Sequence, residues 1–320
     1  MTAILSGVLA GATFLFGAVD MAAAATGPHN PTEMDVGIMA TGVLAAVLAA
    51  KPVRDGLARV LPMDPDNPVH ALALVLAVIL LGTQVSATAF SDVLAADMKL
   101  PPLTVTDLFW QELPFLVLAA VGVGLFIRRD TPATGSRLGL VRPRLWHIAL
   151  ALAAAGAFFA LSASSSYLGQ QLTPDLADKV SRTDQHLFGG LGDWWGILAI
   201  SLLPGICEEV LFRGALQPRF GILATAVLFT AIHTEYGLSV DLVTIFVLAI
   251  ALGLVRRYAN TTACCVAHAT FNFLTAVSLP ATWLWGGIAA EVVLIAIVVL
   301  VVMRRARSSE QPMVDEATLG

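Results

Sequence analysis

The chain has 320 residues, of which 57% are hydrophobic and only 13% charged, with a mean hydropathy of +0.81. Soluble globular domains carry about 25% charged residues, so the composition excludes that class. The formal net charge of −5 at pH 7 supplies no basic field suited to nucleic acid, and no nucleic-acid partner is expected.

A membrane-spanning helix needs about 20 mostly apolar residues. In chain order, apolar runs bounded by Gly, Pro and charge predict about ten such segments. The first, Ile4–Ala25, ends in an Ala-rich stretch but has no Lys or Arg before it, so it reads as a retained span and not a signal peptide. Val36–Ala50 is short and is followed by Lys51, Arg54 and Arg59. Val69–Phe90 and Leu108–Ile127 come next, the latter followed by Arg128, Arg129, Arg137, Arg142 and Arg144. Trp146–Leu168 leads into a long polar connection, Gly169–Asp193.

In the second half come Trp194–Leu216 and the short Phe220–His233, with Arg213 and Arg219 at their connection. Leu238–Val255 exits at Arg256 and Arg257, Thr262–Leu279 ends before Pro280–Ala281, and Trp283–Met303 exits at Arg304, Arg305 and Arg307. Every even-numbered exit is basic, whereas the odd-numbered exits carry little Lys or Arg. Positive charge stays on the cytoplasmic side, so both termini are expected there.

The fold class expected is therefore all-α, a polytopic helical bundle of about ten spans in the cell membrane. Residues 1–144 read as N-terminal accessory helices, 145–303 as the functional core and 304–320 as a polar cytoplasmic tail. Trp194, Trp195, Trp283 and Trp285 sit at span edges as belt aromatics do. Cys207, Cys264 and Cys265 lie in apolar runs and show neither a disulfide framework nor zinc-ligand spacing. Oligomeric state is left open.

An ionisable residue inside a span costs at least about 2.5–3.5 kcal/mol on insertion scales and marks a functional candidate. The sixth span contains Glu208 and Glu209, with Arg213 four residues after the second. Glu209 and Arg213 share a helix face in the favourable acid-before-base order. Glu208 projects about 100° away and lacks that partner, so it is suited to take a proton from water. Pro204 and Gly205 predict a break or kink just upstream.

The seventh span ends in Phe229 and His233 at i, i+4, and the ninth carries His268 and Asn272 at the same spacing. Together these residues supply a base, two imidazoles, a carboxamide and a cation, the inventory for activating water and stabilising an oxyanion. With a rise of 1.5 Å per residue, Glu208 lies ~13 Å in from Leu216 and His268 ~10 Å in from Thr261, whereas His233 lies ~20 Å from Phe220. The first two depths suggest a cavity reached from the cytoplasmic side. Asp20, Gln84, Glu112 and Glu291 have no partner at helical spacing and read as interfacial or packing residues. Asn260-Thr261-Thr262 matches a glycosylation acceptor but falls on the predicted cytoplasmic side, so it is discounted.

The sequence Glu208-Glu209-x-x-x-Arg213, then Phe229-x-x-x-His233, then His268-x-x-x-Asn272, resembles the three-motif signature of the CPBP family. That family comprises CAAX proteases, including the Ras-converting endopeptidase, and bacteriocin-processing or self-immunity proteins. The resemblance covers roughly Trp194 to Pro280 and implies an intramembrane endopeptidase acting on a membrane-associated or lipidated protein or peptide. It implies that Glu208 activates water, His233 positions it, His268 and Asn272 stabilise the oxyanion, and Glu209 and Arg213 orient and charge-balance the site. It also leaves open a zinc version with Glu208, His233 and His268 as ligands, although the His-Glu-x-x-His spacing of zinc helices is missing. The metal-free glutamate mechanism, with no cofactor required, is preferred. Two rivals remain: a proton- or cation-coupled transporter using the same cluster, for which repeated halves are missing, and a non-catalytic immunity or scaffold protein.

Overall fold

The computed structural model describes residues 2–26, 33–277 and 284–317, with side chains over 4–23, 33–277 and 286–304. The Pro280–Ala281 connection, Trp283 and the side chain of Trp285 lie outside the described residues. Among those described, the chain is helical without a β-sheet. Its α-helices are α1 (Thr2–Thr26), α2 (Glu33–Ala49), α3 (Lys51–Leu57), α4 (Pro68–Phe90), α5 (Val93–Asp97), α6 (Val105–Gly122) and α7 (Thr131–Leu138). They continue with α8 (Leu145–Leu172), α9 (Pro174–Phe188), α10 (Trp194–Glu209), α11 (Gln217–Ala231), α12 (Val240–Tyr258), α13 (Thr261–Ala276) and α14 (Leu284–Ala317). Helix α14 runs through most of the segment expected to be a polar tail, and α9 occupies the connection expected after the fifth span.

Six helical stretches are long and apolar enough to cross a membrane, or seven if α2 and α3, bent by 84°, count as one broken span. The chain is a multi-pass membrane protein. The expectation of about ten spans exceeds this number for local reasons. Helices α2 and α13, at 17 and 16 residues, are short, α12 carries Asp241, Arg256 and Arg257, and one stretch, Trp194–Ala231, contains two of the expected runs. That stretch is not straight. Gly221 adopts φ 77°, ψ 174°, a region essentially restricted to glycine, and the chain turns back there. In a continuous helix Phe212 and Phe229 would lie ~25 Å apart; their ring centroids are 5.2 Å apart.

Side-chain caps fix where the helices begin. Asn67, Asp92, Thr104, Asp130, Asp193, Ser239 and Asn260 each accept a hydrogen bond from a first-turn amide, satisfying donors that have no intrahelical partner. Asn260 is thus a structural N-cap, and the following Thr261 and Thr262 donate to the carbonyls of Leu138 and Val141. The glycosylation-like tripeptide staples α13 to the segment after α7.

Helices α1, α2 and α4 pack on one another and reach the rest of the bundle through α4 against α11. The core is formed by α10 against α13 and α6, with α8 behind α12 and α13. Helices α6 and α7, assigned from sequence to the accessory half, pack against the core. Helices α10 and α13 approach closely at Gly205, where an added Cβ would come within 2.7 Å of the Ala269 backbone nitrogen and 2.8 Å of its Cα. Gly205 therefore lets α10 lie directly on α13. Gly205→Ala should push these helices apart and cost about 1–3 kcal/mol by overpacking, read as a lower Tm in detergent. An unchanged Tm would mean that the two helices are not packed this closely.

Candidate active site

The site grows out of α10. Pro204 lies inside this helix, and a proline there has no N–H to give to the carbonyl four residues earlier, that of Ile200. Asn272 of α13 supplies the missing donor, its Nδ2 reaching the Ile200 carbonyl at 3.3 Å. The helix runs on through Pro204 without a break. The irregularity comes one turn later, as a π-helical turn at Val210–Leu216 directly after the two glutamates. Turns of this kind recur at functional sites. Here Arg256 Nε donates to the Arg213 carbonyl at 3.2 Å and Arg137 Nη1 to the Gly214 carbonyl at 3.4 Å.

Glu209 and Arg213 are buried, at 0% and 1% exposure. Arg213 Nε lies 3.4 Å from Glu209 Oε2, and His268 Nδ1 lies 3.0 Å from Glu209 Oε1. One carboxylate on α10 is thus held between a cation on its own chain segment and an imidazole on α13. Arg213 also donates through Nη2 to the Ala249 carbonyl of α12 at 3.2 Å and stacks over the Phe229 ring at 4.4 Å, within cation–π range. Phe229 is the common platform. Its ring centroid lies 4.7 Å from that of His233 and 5.9 Å from that of His268.

His233 Nδ1 lies 2.8 Å from the Phe229 carbonyl. A carbonyl only accepts, so Nδ1 carries the hydrogen and Nε2 is left as an acceptor in the neutral ring. Tyr236 stacks on the other side of His233, with centroids 6.3 Å apart. Glu208 is buried at 5% exposure, and its Oε2 has no hydrogen-bond partner. The structure therefore gathers Glu209, Arg213, His233 and His268 around Phe229, with Glu208 next in the chain and Asn272 one turn beyond His268. Asn272 uses one N–H on backbone and keeps the other.

Among the described residues, no three His, Cys, Asp or Glu side chains converge as metal ligands. His268 Nδ1 faces Glu209 and His233 Nδ1 faces the Phe229 carbonyl, which leaves Nε2 of each ring as its open nitrogen. The three cysteines are free and buried.

A cavity of about 280 Å³ opens beside His233, lined mainly by apolar side chains of α4, α11 and α12, among them Leu81, Val85, Val227, Leu238 and Phe246. Its residues come from the second half of α4 and the start of α12. The arginines lie at the opposite ends of α11 and α12, at Arg219, Arg256 and Arg257. Of the motif residues only His233 lines this cavity, and a second hollow, lined by Gln217, Pro218, Gly221, Ile222, Arg256 and Arg257, lies at the arginine-bearing end. Glu112, read from sequence as isolated, is buried on α6, which packs against the helix that carries Glu208. Helical spacing could not reveal this, because the partner sits on another helix.

Residues 190–274 match the family model described as type II CAAX prenyl endopeptidase Rce1-like. That segment is similar to the Rce1-like family. The matched segment begins just before α10 and ends within α13, so it takes in all three motifs. No curated protein and no solved structure matches the chain. At the level of the family, this similarity supports an intramembrane endopeptidase of CAAX-protease type, working in a lipid bilayer on a membrane-associated substrate.

Two predictions follow from the charges of this segment. Glu209→Ala leaves Arg213 buried without its carboxylate, and breaking a buried pair in this way costs about 3–5 kcal/mol. The variant should show a clearly lower Tm as well as lost activity. Glu235 lies in the short turn Thr234–Tyr236, outside the spanning helices, where burial, reinforced by Asp97 and Asp184, pushes its carboxyl from 4.5 up to about 8. Between those values the unfolded chain has ionised while the fold still holds the proton, so stability is full below 4.5 and falls as pH rises toward 8. Thermal melts should show this fall in wild type and a shallower one in Glu235→Gln.

Proposed function

We propose that the chain hydrolyses a peptide bond of a lipid-bearing, CAAX-type protein or peptide in the cell membrane, with water activated by Glu208 and without a metal. The observation that carries this reading is the unpartnered Oε2 of buried Glu208, beside a Glu209 carboxylate already held by Arg213 and His268. Glu209 is committed to its partners, so Glu208 is the carboxylate free to act on water.

In this mechanism Glu208 takes one proton from water while the His233 Nε2 acceptor holds the other hydrogen. The water oxygen bonds to the scissile carbonyl carbon, and the carbonyl electron pair moves onto oxygen. The free N–H of Asn272, and Nε2 of His268 when that ring is protonated, are the side-chain donors suited to the resulting oxyanion. The C=O bond then re-forms, the C–N bond breaks and the leaving nitrogen takes a proton. The apolar cavity beside His233 supports a substrate whose anchor is a hydrocarbon chain, because it offers such a chain apolar walls next to that histidine.

The test is cleavage of a fluorogenic peptide bearing a farnesylated CAAX cysteine by the purified full-length protein. Glu208→Ala should abolish cleavage while Tm and membrane insertion are kept, and a zinc chelator should leave wild-type activity intact. Cleavage by Glu208→Ala at the wild-type rate would overturn the assignment of the base. Loss of activity with chelator, restored by zinc, would overturn the metal-free mechanism.

A further inference from the structure

Helix α6 packs against α10 and the π-helical turn. Its inward seam is apolar: Leu108 and Ala119 are buried, and Phe115 meets Phe212 of the π-helical turn with ring centroids 6.1 Å apart. Glu112 lies on the same seam, four residues after Leu108 and three before Phe115. It is only 7% exposed, and its Oε2 has no hydrogen-bond partner. Among the described residues no cation pairs with it, and Arg213 is engaged by Glu209. An acid buried in an apolar seam without a partner is costly, and nothing structural here offsets that cost.

Glu208 is in the same condition, with its own Oε2 buried and unpartnered. Glu112 stands three residues before Phe115 on α6, Glu208 stands four residues before Phe212 in the segment continuing α10, and those two rings meet with centroids 6.1 Å apart. Two buried carboxyls therefore stand about one turn before the same helix contact, on separate packed helices, each with a free oxygen. Like charges so placed do not both ionise, and one of the pair keeps a proton.

We propose that Glu112 is a further catalytic residue, the acid that delivers a proton to the leaving nitrogen while Glu208 acts as base. This rests on the reading of Glu208 given above. The reaction begins with Glu208 ionised and Glu112 protonated. Glu208 takes a proton from water as the C–O bond forms, and Glu112 gives its proton to nitrogen as the C–N bond breaks. Transfer of the proton from Glu208 to Glu112 restores the starting state, and the new carboxylic acid ionises into solvent.

The test uses the full-length protein and the farnesylated CAAX peptide. Glu112→Gln keeps the shape and removes the acid, so kcat should fall by about 10²–10⁴ with KM little changed, as loss of a general acid predicts. The high-pH limb of the rate profile should disappear, Glu112→Asp should recover part of the rate, and Tm should not fall. Wild-type kcat in Glu112→Gln would overturn the proposal. If Glu208→Ala is dead in the same assay, that failure touches Glu112 alone. If Glu208→Ala is active, the failure belongs to the reading of the base. Infrared difference spectra of the resting protein provide a readout that needs no substrate. The C=O stretch of a protonated carboxyl should be present in wild type and in Glu235→Gln at a pH below neutrality, and diminished in Glu112→Gln. An identical band in wild type and Glu112→Gln would overturn the proposal even if the peptide is not cut.

Discussion

The arrangement depends on one buried carboxylate. Glu209 lies between the Arg213 guanidinium and the His268 imidazole, and these contacts tie the end of α10 to the middle of α13. A carboxylate without partners in that position would be intolerable in an apolar interior. With them it fixes three other groups. It orients the His268 ring through Nδ1, it holds Arg213 where the cation covers Phe229, and it uses up the charge that would otherwise neutralise Glu208. The reactivity assigned to Glu208 follows from the pairing of its neighbour.

Backbone irregularities do the positioning around that carboxylate. Pro204 frees the Ile200 carbonyl, and Asn272 donates to it, so the third motif is docked onto the helix of the first by a hydrogen bond that a regular helix would not need. The π-helical turn carries Arg213 and presents the Arg213 and Gly214 carbonyls to Arg256 and Arg137. Gly221 then reverses the chain and brings Phe229 back over Arg213. Each departure from regular helix is met by a specific donor or by a glycine, as buried backbone in a membrane protein requires.

What was legible in the sequence was what is local. The pairs Glu209 with Arg213 and Phe229 with His233 are contacts one helical turn apart, and the structure contains both. The all-α membrane architecture was legible from the length and apolarity of the runs. Features that depend on distant partners were hidden. Glu112 looks isolated because Glu208 stands on another helix. The role of Asn272 depends on a proline 68 positions earlier in the chain. The amphipathic α9, read as a loop from its polar composition, is held against α8 and the short turns near the site.

The relation between fold and chemistry is therefore most directly tested by a double-mutant cycle on the clamp. Unfolding free energies of wild type, Glu209→Gln, His268→Gln and the double variant, measured in one detergent–lipid mixture, give the coupling between α10 and α13 through these two side chains. A coupling of about 0.5–3 kcal/mol is expected for residues that share a buried network. Strictly additive losses would contradict it, because they would mean that the carboxylate and the imidazole do not hold one another and that the two helices carry their motif residues independently.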